Sequence, residues 1–464
     1  MILKNAKFYT NGLVHKGILH IKDGIIKKIL FEPKNQQITN LSKKNQDGKE
    51  IDCQNKLVLP GIIDIHSHLR DLNQSEKETF LTGTKAAAFS GITTVFNMPN
   101  TNPSAISSEN VSKWMEKAEK NIHVDVGFIA GVPKSINEEE VEKIIKLGVI
   151  GFKIYSHDSI NEIDWKDSSN LQIILKISSR YQIPIFIHAS YPIPETEKKS
   201  LEKEFNKTDQ STLILHSKLD PVSAEQKFVK IVIDNYKEYI NTNQLKSKNY
   251  PIIHFCHIST IESFLLIEKT KLSNKSLKIT FEVTPHHLFL NNSITLENEN
   301  FGKVLPPLRE KKHSKFLFNK LTEGAIEFIG TDHAPHTLEE KSQTFLESPS
   351  GFPGFETYPL LFINKVFDYQ LPLEIFVKVA SENPAKTFNL NKKGFIKEGY
   401  DADLIIVDKI SEYKINPQNF KTKAKFSPFE KFVTKVQIWK VFLHGKEIKI
   451  ENNIPSGKII KRML

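Results

Sequence analysis

Between residues 61 and 391, short apolar runs alternate with longer helical patterns, and this alternation constrains the fold of the 464-residue chain more than any other feature. The runs are ITTVFNM, VDVGFIA, VIGFKIY, IPIFIHA, PIIHFCH, LKITFEV and AIEFIGT. Between them lie segments such as ETFLTGTKAAAFSG and VEKIIKLG, each closed by glycine, a residue that ends helices readily. A strand, a crossover helix and a further strand build a parallel sheet. This many repeats favour a (β/α)8 barrel over an open sheet. No internal sequence repeat accompanies the rhythm.

Residues 1–60 follow a period-two pattern in ILKNAKFYTNG, KGILHIKDGIIKKIL and KLVLPG, with Asn-Gly and Asp-Gly turns that suit antiparallel strands. Residues 392–464 behave likewise in DADLIIVD and TKVQIWKVFLHGKEI. Neither end is long enough to bury a core alone, so the two are expected to share one small β domain. Lysine- and asparagine-rich stretches at 34–50, 195–212 and 236–250 read as surface insertions.

Composition removes several function classes. No apolar run approaches the roughly 18 to 20 residues of a membrane span, and the N-terminus has no apolar signal core, so a cytoplasmic protein without membrane partners is expected. Two cysteines, Cys53 and Cys256, exclude a disulfide framework and a four-cysteine zinc module; both read as small buried hydrophobes. The formal charge of +10 comes from scattered lysines: of 64 basic residues only Arg70, Arg180, Arg309 and Arg462 are arginine. With no aromatic-basic motif beside it, this charge reads as a solvated surface and not as a nucleic-acid footprint. An arginine inside a motif is correspondingly informative.

Several metal-ligating side chains share one placement, near the end of a β run. His66 and His68 follow LVLPGIID, Lys153 follows VIGF, His188 follows IPIFI, His257 follows PIIHFC and Asp332 follows AIEFIGT. In a (β/α)8 barrel the strand C-termini converge on one face, where active sites lie. Two residues apart on a strand, His66 and His68 project to the same side. Imidazoles and a carboxylate form an N/O donor set suited to Zn²⁺, with Mn²⁺ or Co²⁺ as substitutes. A single histidine beside an apolar run is ordinarily a packed core residue, and His254, earlier in its strand, reads that way. The joint placement of the others favours ligation.

LVLPGIIDIHSHLRD, GITTVFNMPNTNP, EVTPHHLFL, FIGTDHAPHT, GFPGFET and NPAKTFNL with GFIKEGYDADLIIVD resemble, in order and over nearly the whole chain, the dihydroorotases of the amidohydrolase superfamily. HSHLRD, MPNTNP and TDHAPHT together are specific; any one alone is only suggestive. The resemblance implies a metal-dependent barrel (61–391) and a small β-sandwich built from 1–60 and 392–464. It implies two divalent metals, most readily zinc: His66, His68 and Asp332 on one, His188 and His257 on the other, with Lys153 bridging as a CO2-derived carbamate. Asp158 is the alternative bridge, because some members use an aspartate in that segment. The implied reaction is the reversible cyclisation of N-carbamoyl-L-aspartate to L-dihydroorotate in pyrimidine biosynthesis, with a water activated between the metals and Asp332 as the proton carrier. Arg70 is implied as the clamp on the substrate carboxylate, with Asn100 and His336 as further substrate contacts, and a homodimer is compatible with the family.

The chain departs from the family pattern at Leu305, where many bacterial relatives have asparagine, and at Ser190, where glutamate is common. In SHDSI, Ser159 stands near the threonine of carboxylated relatives. Arg309 reads equally as an anion contact or as half of a structural ion pair. The rival readings are another cyclic amidase (a hydantoinase, dihydropyrimidinase or allantoinase) and a non-catalytic homologue that scaffolds a carbamoyltransferase. Arg70 argues against the first and the retained ligand set against the second.

Overall fold

Eight parallel strands follow one another in chain order: β1 (Ile62–Ser67), β2 (Ile92–Asn97), β3 (Asp125–Gly131), β4 (Gly151–Tyr155), β5 (Pro184–His188), β6 (Ile252–Phe255), β7 (Ile279–Val283) and β8 (Phe328–Ile329). The computed structural model describes residues 1–32, 49–156, 160–205, 210–449 and 454–462. Past the end of β8 a parallel bridge joins Ser67 to His333, and His68 N donates to the His333 carbonyl at 2.8 Å, which brings the first and last strands together. The main connecting helices are α1 (Phe80–Phe89), α2 (Ser108–Glu119), α3 (Glu138–Lys146), α4 (Ser168–Tyr181), α5 (Val222–Thr242), α6 (Ile261–Ser273), α7 (Lys311–Thr322) and α8 (Tyr358–Phe367). Helices on the outside and side chains on the inside leave these strands buried on both faces, which is why their sequences run almost continuously apolar.

The barrel interior is filled from several strands by Ile63, Ile65, Phe96, Ile129, Phe186 and Phe328. Phe388, which follows the barrel in sequence, enters this layer, edge-on to Phe96 at 5.2 Å and stacked on Phe186 at 5.5 Å. The aromatic plug lies below the strand ends and leaves the opposite mouth free for chemistry.

Both ends of the chain build a second, mostly antiparallel sheet of eight strands. Its path runs through Lys446–Glu447, Val433–Leu443, Leu404–Lys414, Leu57–Pro60, Ile2–Thr10, Leu13–Lys22 and Ile25–Phe31, with Glu50–Asp52 paired to Ile2–Thr10. Leu3, Phe8, Leu19, Val58, Leu404 and Phe442 give it a core of its own. The expected joining of the two ends is therefore present as direct strand pairing. Ile459–Ile460 then adds in parallel to β3. Lys393, buried between Asp125 at 2.7 Å and Asp403 at 2.6 Å, ties barrel and sheet by a shielded ionic contact.

One expected insertion is instead core structure. Residues 236–242 complete α5, and Tyr236 is fully buried, its hydroxyl donating to the Pro251 carbonyl at 2.9 Å. The polar residues that suggested an insertion are the outer face of a long amphipathic helix. Most of the 34–50 stretch lies outside the described residues.

Candidate active site

At the C-terminal mouth of the barrel, a cavity of about 210 Å³ is lined by all six expected ligands: His66, His68, Lys153, His188, His257 and Asp332. Their positions along the strands differ more than the sequence suggested. His66 and Lys153 lie within β1 and β4, His188 ends β5, and His68, His257 and Asp332 sit in the loops beyond. His257 and Asp332 adopt left-handed backbone, φ 37° and 50°, as do Arg70, Asp71 and Leu72 at 55°, 69° and 45°. Such conformations are costly for residues with a Cβ and gather where a fold must aim side chains.

Neighbours fix how the first histidine pair points. The Nδ1–H of His66 donates to the Glu282 carboxylate, and Nδ1–H of His68 donates to Asn100 Oδ1 at 2.6 Å. Both Nε2 atoms then face Asp332 Oδ1, at 3.4 Å and 2.9 Å. An imidazole that spends its Nδ1–H on an outer acceptor offers an oriented Nε2 lone pair, the usual arrangement behind a metal-bound histidine. Burial alone would lower the His66 pKa, but the Glu282 carboxylate outweighs it and raises it to about 10. Burial would likewise favour neutral Asp332, yet His66 and His68 hold its carboxyl well below the ordinary range. Burial pulls His68 down to about 4, leaving a neutral ring.

On the other side, His188 Nδ1 lies 3.0 Å from His257 Nε2, and the buried Nδ1 of His257 has no hydrogen-bond partner among the described residues. Lys153 is 1% exposed and donates to Cys256 Sγ at 2.8 Å. No carboxylate lies within salt-bridge distance of it among the described residues. The Tyr155 ring lies 5.2 Å from its ammonium. An orphaned imidazole nitrogen, convergent Nε2 atoms and a buried carboxylate fit a divalent cation. Asp158 and Ser159 lie outside the described residues.

Arg70 reaches the same cavity, its Nε donating to the Pro335 carbonyl at 3.3 Å and one terminal nitrogen to His336 Nε2 at 3.2 Å. His336 therefore stands behind the guanidinium; it is not among the cavity-lining residues described. Its Nδ1–H donates to Glu340 at 3.2 Å, and burial lowers its pKa to about 3. Asn100 lines the cavity while its carbonyl orients His68. Arg309 is not on the described cavity wall: it donates to Ser259 Oγ at 3.0 Å and to the Asp220 carbonyl, and its other terminal nitrogen pairs with Glu225 at 3.9 Å, as the ion-pair reading expected. Ser190 donates to Asp220, and Leu305 gives the cavity an apolar wall. His254 bridges Thr280 and Glu282 in the core.

Sequence reasoning missed Glu282, whose carboxylate holds His66 and also accepts from His254 and, at 3.3 Å, from the His257 backbone N–H. The available signal was a lone acid inside LKITFEV, a run otherwise fit for burial. It missed Tyr155 as well, two residues after Lys153 and on the cavity wall.

Residues 57–448 match the amidohydrolase family. The chain belongs to that family. This amidohydrolase is 35% identical over 436 residues to the dihydroorotase of Methanosphaera stadtmanae, covering 93% of this chain and 92% of that protein. It is 33% identical over 446 residues to the dihydroorotase of Bacillus cytotoxicus, covering 95% of each. Among solved structures, it resembles the dihydropyrimidinase from Brevibacillus agri NCHU1002 with a TM-score of 0.84 at 21% identity, over 99% of this chain and 98% of that one. The last likeness shows the fold alone.

Proposed function

We infer that this amidohydrolase is a dihydroorotase, interconverting N-carbamoyl-L-aspartate and L-dihydroorotate. The observation that carries the reading is Arg70, a buried guanidinium on the wall of the cavity that gathers the six candidate ligands. Its planar fork suits the carboxylate that both substrate and product retain. A hydantoinase or dihydropyrimidinase substrate has no such group and would leave the cation uncompensated. The similarity to dihydroorotases over nearly the full chain supports the same choice.

His66, His68 and Asp332 would hold one divalent metal and His188 with His257 a second, with Lys153 between them as a carbamate. The N/O set favours zinc. Metal bound there supplies Lewis-acid polarisation of the ring carbonyl and makes water more acidic. In ring opening, Asp332 accepts a proton from the attacking water and delivers it to the departing amide nitrogen as the C–N bond breaks. Ring closure reverses both transfers. Arg70 binds the carboxylate and His336 holds Arg70 in place. Residues 61–391 are assigned to the catalytic barrel, and 1–60 with 392–464 to the sandwich.

The test is turnover of purified protein in bicarbonate and Zn²⁺, followed in both directions by ultraviolet absorbance, beside hydantoin, dihydrouracil and allantoin. Metal-dependent interconversion is the expected result. Folded, metal-loaded protein acting only on an uncharged ring would replace this reading with that of another cyclic amidase.

A further inference from the structure

Lys303 is 7% exposed and sits immediately before Val304 and Leu305, two residues of the cavity wall. Its ammonium donates to three backbone carbonyls: Phe345 at 2.6 Å, Leu346 at 3.2 Å and Ser348 at 2.5 Å. Its own carbonyl accepts from Gly351 N at 2.9 Å. Among the described residues no carboxylate lies within salt-bridge distance, and burial lowers its pKa to about 8. A second buried lysine, Lys341, donates to the Pro349 carbonyl at 2.7 Å. A buried charge without a counter-charge is expensive unless polar groups replace its water. Here the replacement is a ring of carbonyl oxygens, the donor type that holds potassium or ammonium ions elsewhere in proteins.

The caged segment leads directly into the site. Ser350 and Gly351 line the cavity, and the Ser350 carbonyl lies 3.1 Å from Nε2 of His336, the ring that accepts from Arg70. One side chain thus fixes two walls together: Val304–Leu305 from its own backbone and Ser350–Gly351 through the carbonyls it binds. We propose that Lys303 is a positioning residue for substrate, its ammonium filling a carbonyl cage that sets the Arg70 end of the cavity. The proposal rests on the dihydroorotase reading only for the identity of that substrate.

The experiment compares wild-type, Lys303→Ala and Lys303→Met holoenzymes. Loss of the cage should raise KM for both N-carbamoyl-L-aspartate and dihydroorotate by on the order of tenfold, as small misplacements of binding groups do. The kcat at saturation should stay within about threefold, since no reacting atom is touched. Added ammonium or potassium should lower KM again in Lys303→Ala, where the cage is empty, but not in Lys303→Met, where methylene groups fill it. Tetramethylammonium, too large to enter, should have no effect. Wild-type KM in both variants would overturn the proposal, as would a raised KM that no small cation restores. Wild-type enzyme without turnover would instead refute the dihydroorotase reading. The cage would then be judged by melting temperature, which ammonium should raise in Lys303→Ala and leave unmoved in wild type; no rise would refute it.

Discussion

Glu282→Gln isolates what an outer carboxylate does for the metal pocket. Glu282 is fully buried and accepts from the His66 and His254 rings and from the His257 backbone. The amide keeps the shape and can still accept one hydrogen bond, so the fold is expected to persist. What disappears is the negative charge behind His66, and with it the charge-assisted character of the Nδ1–H bond. A buried hydrogen bond to a charged group contributes about 2 kcal/mol more than none. If that energy goes into orienting His66 and making Nε2 more basic, metal affinity should fall roughly 30-fold, within the range usual for groups behind metal ligands. The assay is metal content by mass spectrometry after dialysis against graded chelator, with circular dichroism as the check on folding. The chelator midpoint should move to lower chelator by about that factor, and kcat should recover at saturating metal. An unchanged midpoint in a folded variant would refute the assignment of Glu282 as the group that aims His66.

Four further outcomes follow from the same geometry. Asp332→Ala removes the proposed ligand and proton carrier and should lower kcat by about 10³-fold or more; near-normal turnover would exclude Asp332 from the chemistry. Arg70→Lys replaces a fork by a point charge and should raise KM in both directions by roughly tenfold or more; unchanged kcat/KM would show the substrate carboxylate bound elsewhere. Lys153→Ala should lose metal and regain activity with short carboxylic acids, whereas full metal retention would move the bridge to Asp158. His216, buried and donating to the Val304 carbonyl at 2.9 Å, has its pKa lowered by burial from 6.5 to about 3. Between those values the unfolded chain binds the extra proton, so stability present above pH 6.5 is lost on acidification toward 3. His216→Gln should therefore lose less melting temperature than wild type between pH 7 and pH 5; parallel losses would exclude this linkage.

Placement near the ends of apolar runs was enough to bring the candidate ligands together from β1, β4 and β5 and from the loops after β1, β6 and β8, because strand order and strand direction alone decide where those ends meet. The same logic could not find Glu282, since its role depends on which side chains face one another across β1, β6 and β7. Nor could it separate Arg70 from Arg309. Both are buried arginines near the mouth, and only the tertiary contacts show one facing the cavity and the other spent on Ser259 and Asp220. His336 illustrates a third limit: its hydrogen bond to Arg70 depends on the turn after Asp332, which spacing in the sequence does not reveal. The 236–250 stretch misled because lysine and asparagine on the outer face of α5 mask a buried partner as large as Tyr236.

The sheet shared by both ends of the chain carries a consequence for biosynthesis. Leu57–Pro60 pairs with Leu404–Lys414, and Lys458 N donates to Asp125, 333 residues earlier. Residues 404–460 leave the ribosome after every barrel strand, so Phe8, Leu19 and Val58 wait for Leu404 and Phe442 until the whole barrel has been made. A nascent or truncated chain lacking this segment would present an unpaired strand edge and a bare apolar face, the combination most prone to misassociation. Completion of the shared sheet therefore waits for residues 404–443, although the first three strands can already pair with one another.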